Sequence, residues 1–355
     1  MNSQRIDYTN QDFFLGIDVH HKSWKVTVRT NNMELKTFSM NPSAEQLYRY
    51  MHKRYPGGNY YSVYEAGFSG YWIDTELKRW GFHNIVINPA DVPTTQKEKS
   101  TKTDAIDSRK LARHLENGSL KGIYIPDQFH QQLRSVCRLR FKVVQSQTRV
   151  KNRIKGHLAF YGYLIPDHDQ IGHWSGAFIR WLRSLEFPYA MGSDYLRLCI
   201  EELQSHRQSL AQILRTLRMY CREYGIQEKI KCLCSAPGVG FVTAITLYSE
   251  LMEMSRFKSL DHLASYVGLV PSVNASGQRE TSLGLSFRRN RYLRYLLIES
   301  AWVAIRQDPA LGYVFSQLIK RMGKQKAIVR IAKKLLSRIR HVWKHKEQYV
   351  AGLIS

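Results

Sequence analysis

The run Phe13-Phe14-Leu15-Gly16-Ile17-Asp18-Val19 is apolar enough to form a buried strand, yet it carries an aspartate. An ionised carboxylate on a buried backbone is expensive unless something compensates it. Three further carboxylates fall in the first third of the chain and, like Asp18, sit where a backbone element begins or ends. They are Glu65, closing Tyr61-Ser62-Val63-Tyr64-Glu65, and the pair Asp104 and Asp107 in Thr103-Asp104-Ala105-Ile106-Asp107. Asp104 and Asp107 are three residues apart, so a helix starting near Thr103 sets both on one face.

The pattern around these residues reads as α/β for the first ~125 residues. Residues 13–19 form a strand, 21–29 alternate as a second, and Asn31-Asn32 turns the chain into a third from Leu35 to Met40. Asn41-Pro42-Ser43 caps a helix over Ala44 to Arg54. A strand at 60–65, a helix at 69–80 and a strand at 84–88 follow. Three antiparallel strands followed by alternating strands and helices is an RNase H-like order. Beyond residue 131 the pattern is helical. Leu196, Ile200, Leu203, Arg207, Leu210, Leu214, Leu217 and Cys221 make a heptad seam. Leu133, Val136, Val143, Val150 and Ile154 offer it a weaker partner, giving a helical hairpin or an intersubunit coiled coil; a helix packed on its own core is the plainer reading. Residues 159–192 show no legible pattern. The expected domains are 1–128, 129–224 and 225–355.

The 355 residues carry 53 lysines and arginines against 29 aspartates and glutamates, a formal net charge of +24. The basic residues are spread along the chain, which points to nucleic acid as the partner. No apolar run approaches the ~18 residues that span a bilayer, and the N-terminus lacks the features of a secretory signal. The five cysteines are irregularly spaced, which fits a reducing compartment and no disulfide framework. Cys232-x-Cys234 is too tight for a usual zinc site.

On so basic a chain, four clustered carboxylates suggest two-metal phosphoryl transfer, with Mg²⁺ (or Mn²⁺ in its place) held by Asp18, Glu65, Asp104 and Asp107. Plainer readings stand beside this one. Asp104 suits a helix first turn by the macrodipole alone, and Asp107 could pair with Arg109 or Lys110. Alternation puts His20 on the face of Asp18 and His21 opposite, so His20 is a contact to metal-bound groups or phosphate, or a plain edge histidine. Lys99 and Lys102 precede the Asp104 helix and would guide a phosphate backbone.

The turn Pro237-Gly238-Val239-Gly240 resembles a helix-hairpin-helix module, in which glycine N–H groups meet a phosphate. A plain helix turn is the alternative. Downstream, the loop Pro271 to Gly277 is rich in Gly, Ser and Asn, Arg288 and Arg289 lead into the following helix, Arg291 to Arg306, and Arg291 and Arg294 lie on it. Arginine forks suit a phosphate in transition. A nucleophilic serine would fit there, but Ser272, Ser276, Ser282 and Ser286 are equally available by composition. A basic helix at 325–346, with Lys333 and Lys334, closes the chain.

Taken in order, Gly16-Ile17-Asp18-Val19, Tyr64-Glu65-Ala66, Lys102-Thr103-Asp104-Ala105-Ile106-Asp107 and Ala112-Arg113 resemble the RuvC-like domain of insertion sequence 110 transposases and Piv-type DNA invertases. Pro237-Gly238-Val239-Gly240, Gly268-Leu269-Val270-Pro271, Ser276-Gly277 and Arg291-Tyr292-Leu293-Arg294 resemble that family's second domain. The resemblance implies a catalytic Asp-Glu-Asp-Asp metal site at Asp18, Glu65, Asp104 and Asp107, and a catalytic serine best matched by Ser276. It also implies a phosphoserine intermediate, a structured bridge RNA pairing with donor and target DNA, and homodimers or homotetramers. The fold class that follows is α/β plus α: an RNase H-like (RuvC-like) domain, a helical coiled-coil segment, and a mostly helical C-terminal transposase domain. Such a protein is expected in a bacterial or archaeal cytoplasm, at the nucleoid. Ala275 removes the rival serine often found before the matching one, while Gln278-Arg279-Glu280 is bulkier than the family pattern. A metal-dependent RuvC-type endonuclease using water, an invertase without RNA guide, and a non-enzymatic nucleic-acid scaffold are the alternatives.

Overall fold

The computed structural model describes residues 7–93, 103–276, 279–286 and 289–351, and the backbone alone over 272–276 and 279–283. The chain divides into two compact units, residues 1–125 and 126–355.

The first unit is built on β1 (Asp12–Val19), β2 (Trp24–Thr30), β3 (Met33–Met40), β4 (Asn59–Glu65) and β5 (His83–Ile87), ordered β3-β2-β1-β4-β5. Strand β1 pairs antiparallel with β2 and parallel with β4, and β4 pairs parallel with β5. Asn31 and Asn32 both take positive φ, 48° and 62°, as a tight two-residue hairpin turn requires, so β3 starts at Met33, two residues ahead of expectation. Helix α1 (Ala44–Arg54) is capped by Ser43, whose hydroxyl accepts from the Gln46 N–H at 3.2 Å. Helix α2 (Trp72–Arg79) begins three residues later than the pattern suggests.

Alternation along β1 sends Phe13, Leu15 and Ile17 into a core with Trp24, Val26, Val28, Leu47, Met51, Ile73 and Leu77. The opposite face is covered by helix α3 (Asp104–Glu116), where Leu111 packs on Val63 and Ile87. Gly16 lies on that face. A Cβ there would overlap the Ser108 carbonyl oxygen and the Ala112 amide nitrogen and lie 2.9 Å from Leu111 Cβ. The missing side chain is what lets the backbone of α3 cross β1 so closely.

The second unit contains α4 (Gln128–Phe160), α5 (Gly176–Arg183), α6 (Ala190–Glu223), α7 (Gln227–Cys234), α8 (Phe241–Leu251), α9 (Leu260–Val267), α10 (Arg291–Gln307), α11 (Pro309–Ile319) and α12 (Lys324–His345). Of the three readings left open for the seam, the helical hairpin is the one seen: α4 and α6 pack on each other within the chain. Two separate clusters hold this arm together. Leu133 and Cys137 join Ile213, Leu217 and Cys221 at its base, within the core of residues 226–342. Val150, Ile154 and Leu158 join Leu196, Cys199, Ile200 and Leu203 further out. Ile213 is buried in place of Leu214, because a straight helix drifts off a seven-residue repeat. The stretch 159–192 contributes α5, capped by Ser175, whose Phe178, Ile179 and Leu182 complete the outer cluster.

The expected loop after Pro271 is a β-hairpin. Strands β6 (Pro271–Ser276) and β7 (Arg279–Leu285) pair antiparallel, with Ser276 opposite Arg279. Backbone pairing between neighbours in sequence holds a segment whose Gly, Ser and Asn content reads as coil. Among the described residues, no helix is long and apolar enough to cross a membrane.

Candidate functional site

The acidic centre forms where β1 ends. Ile17 is the register partner of Tyr64, so Asp18 and Glu65 are the next residues on adjacent strands and, by alternation, share the face covered by α3. Thr103 caps α3 by accepting from the Ile106 N–H at 3.3 Å, which sets Asp104 and Asp107 in its first turn. Three side-chain bonds fix the helix over the sheet. The buried hydroxyls of Thr27 and Ser108 lie 2.9 Å apart, Arg29 donates to Glu116 at 2.7 Å, and Arg109 donates to Glu34 at 3.0 Å.

His20 Nε2 lies 3.1 Å from Asp18 Oδ2 and 3.3 Å from Asp104 Oδ2. Single ligand atoms of Asp18, His20 and Asp104 all fall within 4.8 Å of one another. Asp107 stands a turn away, with Lys110 Nζ at 3.6 Å from its carboxylate. Glu65 flanks on the neighbouring strand and is not one of the three. Burial raises the Asp18 carboxyl above its usual range; His20 counters this, and the charges of Asp104 and Asp107 add to the rise. The set therefore holds negative charge at a cost that a bound cation would relieve. Carboxylates and imidazole with this spacing fit a divalent ion.

Gly16→Ala should break this arrangement without touching a carboxylate. The methyl group would drive α3 off the sheet, costing about 3 kcal/mol of stability. A shift near 1 Å at Asp104 would cost metal-dependent activity about a hundredfold. Thermal melting and an activity assay check both; wild-type values in either would remove Gly16 from the account.

In the second unit, Gly238 takes φ 73°, and its N–H donates to Gln307 Oε1 at 2.7 Å. A Cβ would overlap the Ser300 carbonyl oxygen and lie 2.9 Å from the Ala304 nitrogen. Its glycine is thus explained by contact with α10, and the donor expected to meet a phosphate is engaged within the unit. Gly240 is exposed and caps α8 with no side-chain bond, which leaves that helix end accessible. Arg289 and Arg291 are exposed, and Arg291 donates to the Tyr292 hydroxyl at 3.1 Å. Arg294 is a different case. It is buried, donates to the Ser286 carbonyl, and packs against Gly268, so it anchors the exit of β7 instead of presenting an open fork. Desolvation and nearby Arg289 lower its pKa. Lys333 pairs with Asp261 at 2.8 Å, and Lys334 is exposed. Lys99, Lys102, Arg288 and the side chain of Ser276 lie outside the described residues.

One organising residue of this unit has no counterpart in the motifs above. Glu250, fully buried at the end of α8, accepts from Arg138 through both carboxylate oxygens at 2.7 and 2.9 Å. Arg134 Nε lies 3.3 Å away, and Asn290 Nδ2 donates at 2.8 Å. Asn290 in turn caps α10 by accepting from the Tyr292 and Leu293 N–H groups. The available signal was a glutamate inside the apolar run Phe241 to Leu251, the same anomaly that marks Asp18.

A mixed sheet carrying clustered carboxylates, joined to a helical unit with a capped arginine helix, defines the class: residues 15–162 match the DEDD-type model of insertion sequence 110 proteins, described as "Transposase". Residues 230–314 match the model described as "Transposase IS116/IS110/IS902 family". The chain belongs to the IS110/IS116 transposase family and carries its DEDD domain. It is similar to the putative transposase y4qE of Sinorhizobium fredii, 26% identical over 253 residues, which cover 71% of this chain and 60% of that protein. The chain thus spans less than two thirds of that relative's length. It is also similar to the transposase for insertion sequence element IS1111A of Coxiella burnetii, 26% identical over 82% of this chain and 79% of the relative. A shorter similarity, 31% over 121 residues, links it to the pilin gene-inverting protein of Moraxella bovis, covering 32% of this chain and 36% of that one.

Proposed function

We propose that this chain is the transposase of a mobile element, cutting and rejoining DNA strands through a phosphoserine intermediate at Ser276, guided by a bridge RNA. The observation that carries the reading is the convergence of Asp18 and Asp104 at the end of β1, inside the segment matched as a DEDD transposase domain. The sheet order β3-β2-β1-β4-β5 supports an RNase H-like fold for that segment.

Asp18, Asp104, Asp107 and Glu65 would hold Mg²⁺ or Mn²⁺. Such ions, when bound, neutralise charge on a phosphodiester and its departing oxygen. The protein's own contribution is to fix the carboxylates on rigid elements, β1, β4 and the first turn of α3. In the proposed step the Ser276 hydroxyl loses its proton and its oxygen bonds to phosphorus. The bond from phosphorus to one deoxyribose oxygen breaks, and that oxygen leaves as a hydroxyl. Rejoining reverses the exchange with a new strand's hydroxyl, so the ester's energy is conserved. Exposed Arg289, Arg291 and Lys334 on the second unit would bind phosphate, together with Lys99, Lys102 and Arg288. Phe160, Leu164, Tyr189 and Met191, exposed around the outer end of the arm, support assembly as dimers or tetramers.

Incubation with supercoiled DNA, guide RNA and Mg²⁺, followed by denaturation, should leave protein covalently attached to DNA. Ser276→Ala should abolish both the adduct and strand cleavage, by at least about a thousandfold. Cleavage that persists in the variant would overturn the serine step and favour hydrolysis by water. The similarity to the pilin gene-inverting protein favours one second reading, a DNA invertase, and activity without guide RNA on inverted sites would select it.

A further inference from the structure

We propose that His20 is a direct ligand of the divalent cation through Nε2, making the centre a mixed nitrogen–oxygen site that binds manganese in preference to magnesium. The inference rests on the reading of the acidic cluster as a metal centre and adds to it a donor that the four carboxylates do not include.

Three features carry it. The first is spacing. Adjacent ligand atoms of an octahedral ion with bonds of about 2.1 Å sit about 3 Å apart, and His20 Nε2 lies 3.1 and 3.3 Å from one oxygen each of Asp18 and Asp104. Of the four carboxylates, Asp18 and Asp104 alone come within 4.8 Å of that nitrogen and of each other, among the described residues. Nitrogen and the two oxygens are therefore placed to share one face of a ligand shell, to which Glu65 and Asp107 would add from beyond that face.

The second is preorganisation. His20 directly follows β1, and its N–H donates to the Ser23 carbonyl at 3.0 Å, closing the turn into β2. The imidazole thus hangs from a backbone fixed by the same strand that holds Asp18. Asp104 arrives on a helix tied to the sheet by Thr27–Ser108 and Arg29–Glu116. Both backbones are thus tied down where the three atoms meet, while the His20 and Asp104 side chains stand 47% and 64% exposed.

The third is ligand chemistry. Mg²⁺ favours oxygen donors and keeps several waters. Imidazole is a borderline donor that suits transition metals, so replacing one oxygen by nitrogen shifts preference away from magnesium. His21 serves as an internal control, since alternation points it away from Asp18 and it is absent from the cluster.

Pulsed electron paramagnetic resonance on the full chain loaded with Mn²⁺ tests this without reference to activity. Wild type and His21→Ala should show nitrogen-14 coupling from one coordinated imidazole. His20→Ala should still bind Mn²⁺, at least about tenfold more weakly, and lose the coupling. Its Mg²⁺ affinity, from competition titration, should fall less, so the preference for manganese narrows. Bound Mn²⁺ with no nitrogen coupling in wild type, or coupling that survives His20→Ala, would overturn the assignment of His20 alone. Failure of wild type to bind Mn²⁺ would instead remove the metal centre itself.

Discussion

Asp18→Asn should reduce metal-dependent strand cleavage by at least about a thousandfold, the loss of several kcal/mol of transition-state stabilisation, and should leave the metal-free protein as stable as the parent or more so. These opposite outcomes follow from one cause. Without a cation, Asp18 is a half-buried carboxylate whose burial and acidic neighbours work against its ionisation. Asparagine keeps the shape and removes the charge, so the fold is relieved of a cost and the site loses a ligand. Melting curves separate the effects. Mg²⁺ should raise the wild-type transition by linkage and leave that of the variant nearly unmoved. A variant that cleaves within tenfold of wild type, or that gains as much stability from Mg²⁺, would make Asp18 structural and return the chain to the scaffold reading.

Glu250→Ala carries the largest expected effect on stability. It leaves the guanidinium groups of Arg134 and Arg138 facing a buried vacancy, and breaking a buried pair from one side costs about 3–5 kcal/mol. In a unit of this size, that lowers Tm by about 10 °C. Asn290 also loses its anchor, so the start of α10 and the exit of β7 loosen together. Glu250→Gln, which retains the shape and accepts one of the bonds, should fall between the two. Thermal denaturation of the three proteins checks the order; a drop below 1 °C for Glu250→Ala would mean that the arginines find water instead.

Local chemistry is what the sequence displays best. Ser43 and Thr103 announce α1 and α3 because a cap acts within three residues. Asn31-Asn32 announces the β2–β3 turn for the same reason. The alternation of β1 places His20 on the correct side of the strand, though nothing in the sequence brings it to Asp104, 84 residues on and outside its register. The reach of Arg138 to Glu250, across a separation of 112 residues, is equally invisible. Composition misleads at 271–285, where turn-prone residues are held extended by pairing across the hairpin. It misleads again at Gly238, whose glycine answers to α10 rather than to a ligand. Arg294 shows a third limit: a cationic motif does not say which cations the fold spends on its own carbonyls.

The arm has a mechanical side. Along α4 nothing is buried between Cys137 and Val150, and along α6 nothing between Leu203 and Ile213. About 20 Å of α4 thus joins the two clusters through side chains that are only partly buried, Val143 against the base core and Phe141 against Tyr292 and Tyr295. Beyond those contacts the outer cluster is joined to the base through the two helices, as by a strut fastened at both ends. Such a strut sets how far the outer cluster stands from the base, a quantity distinct from the chemistry it serves.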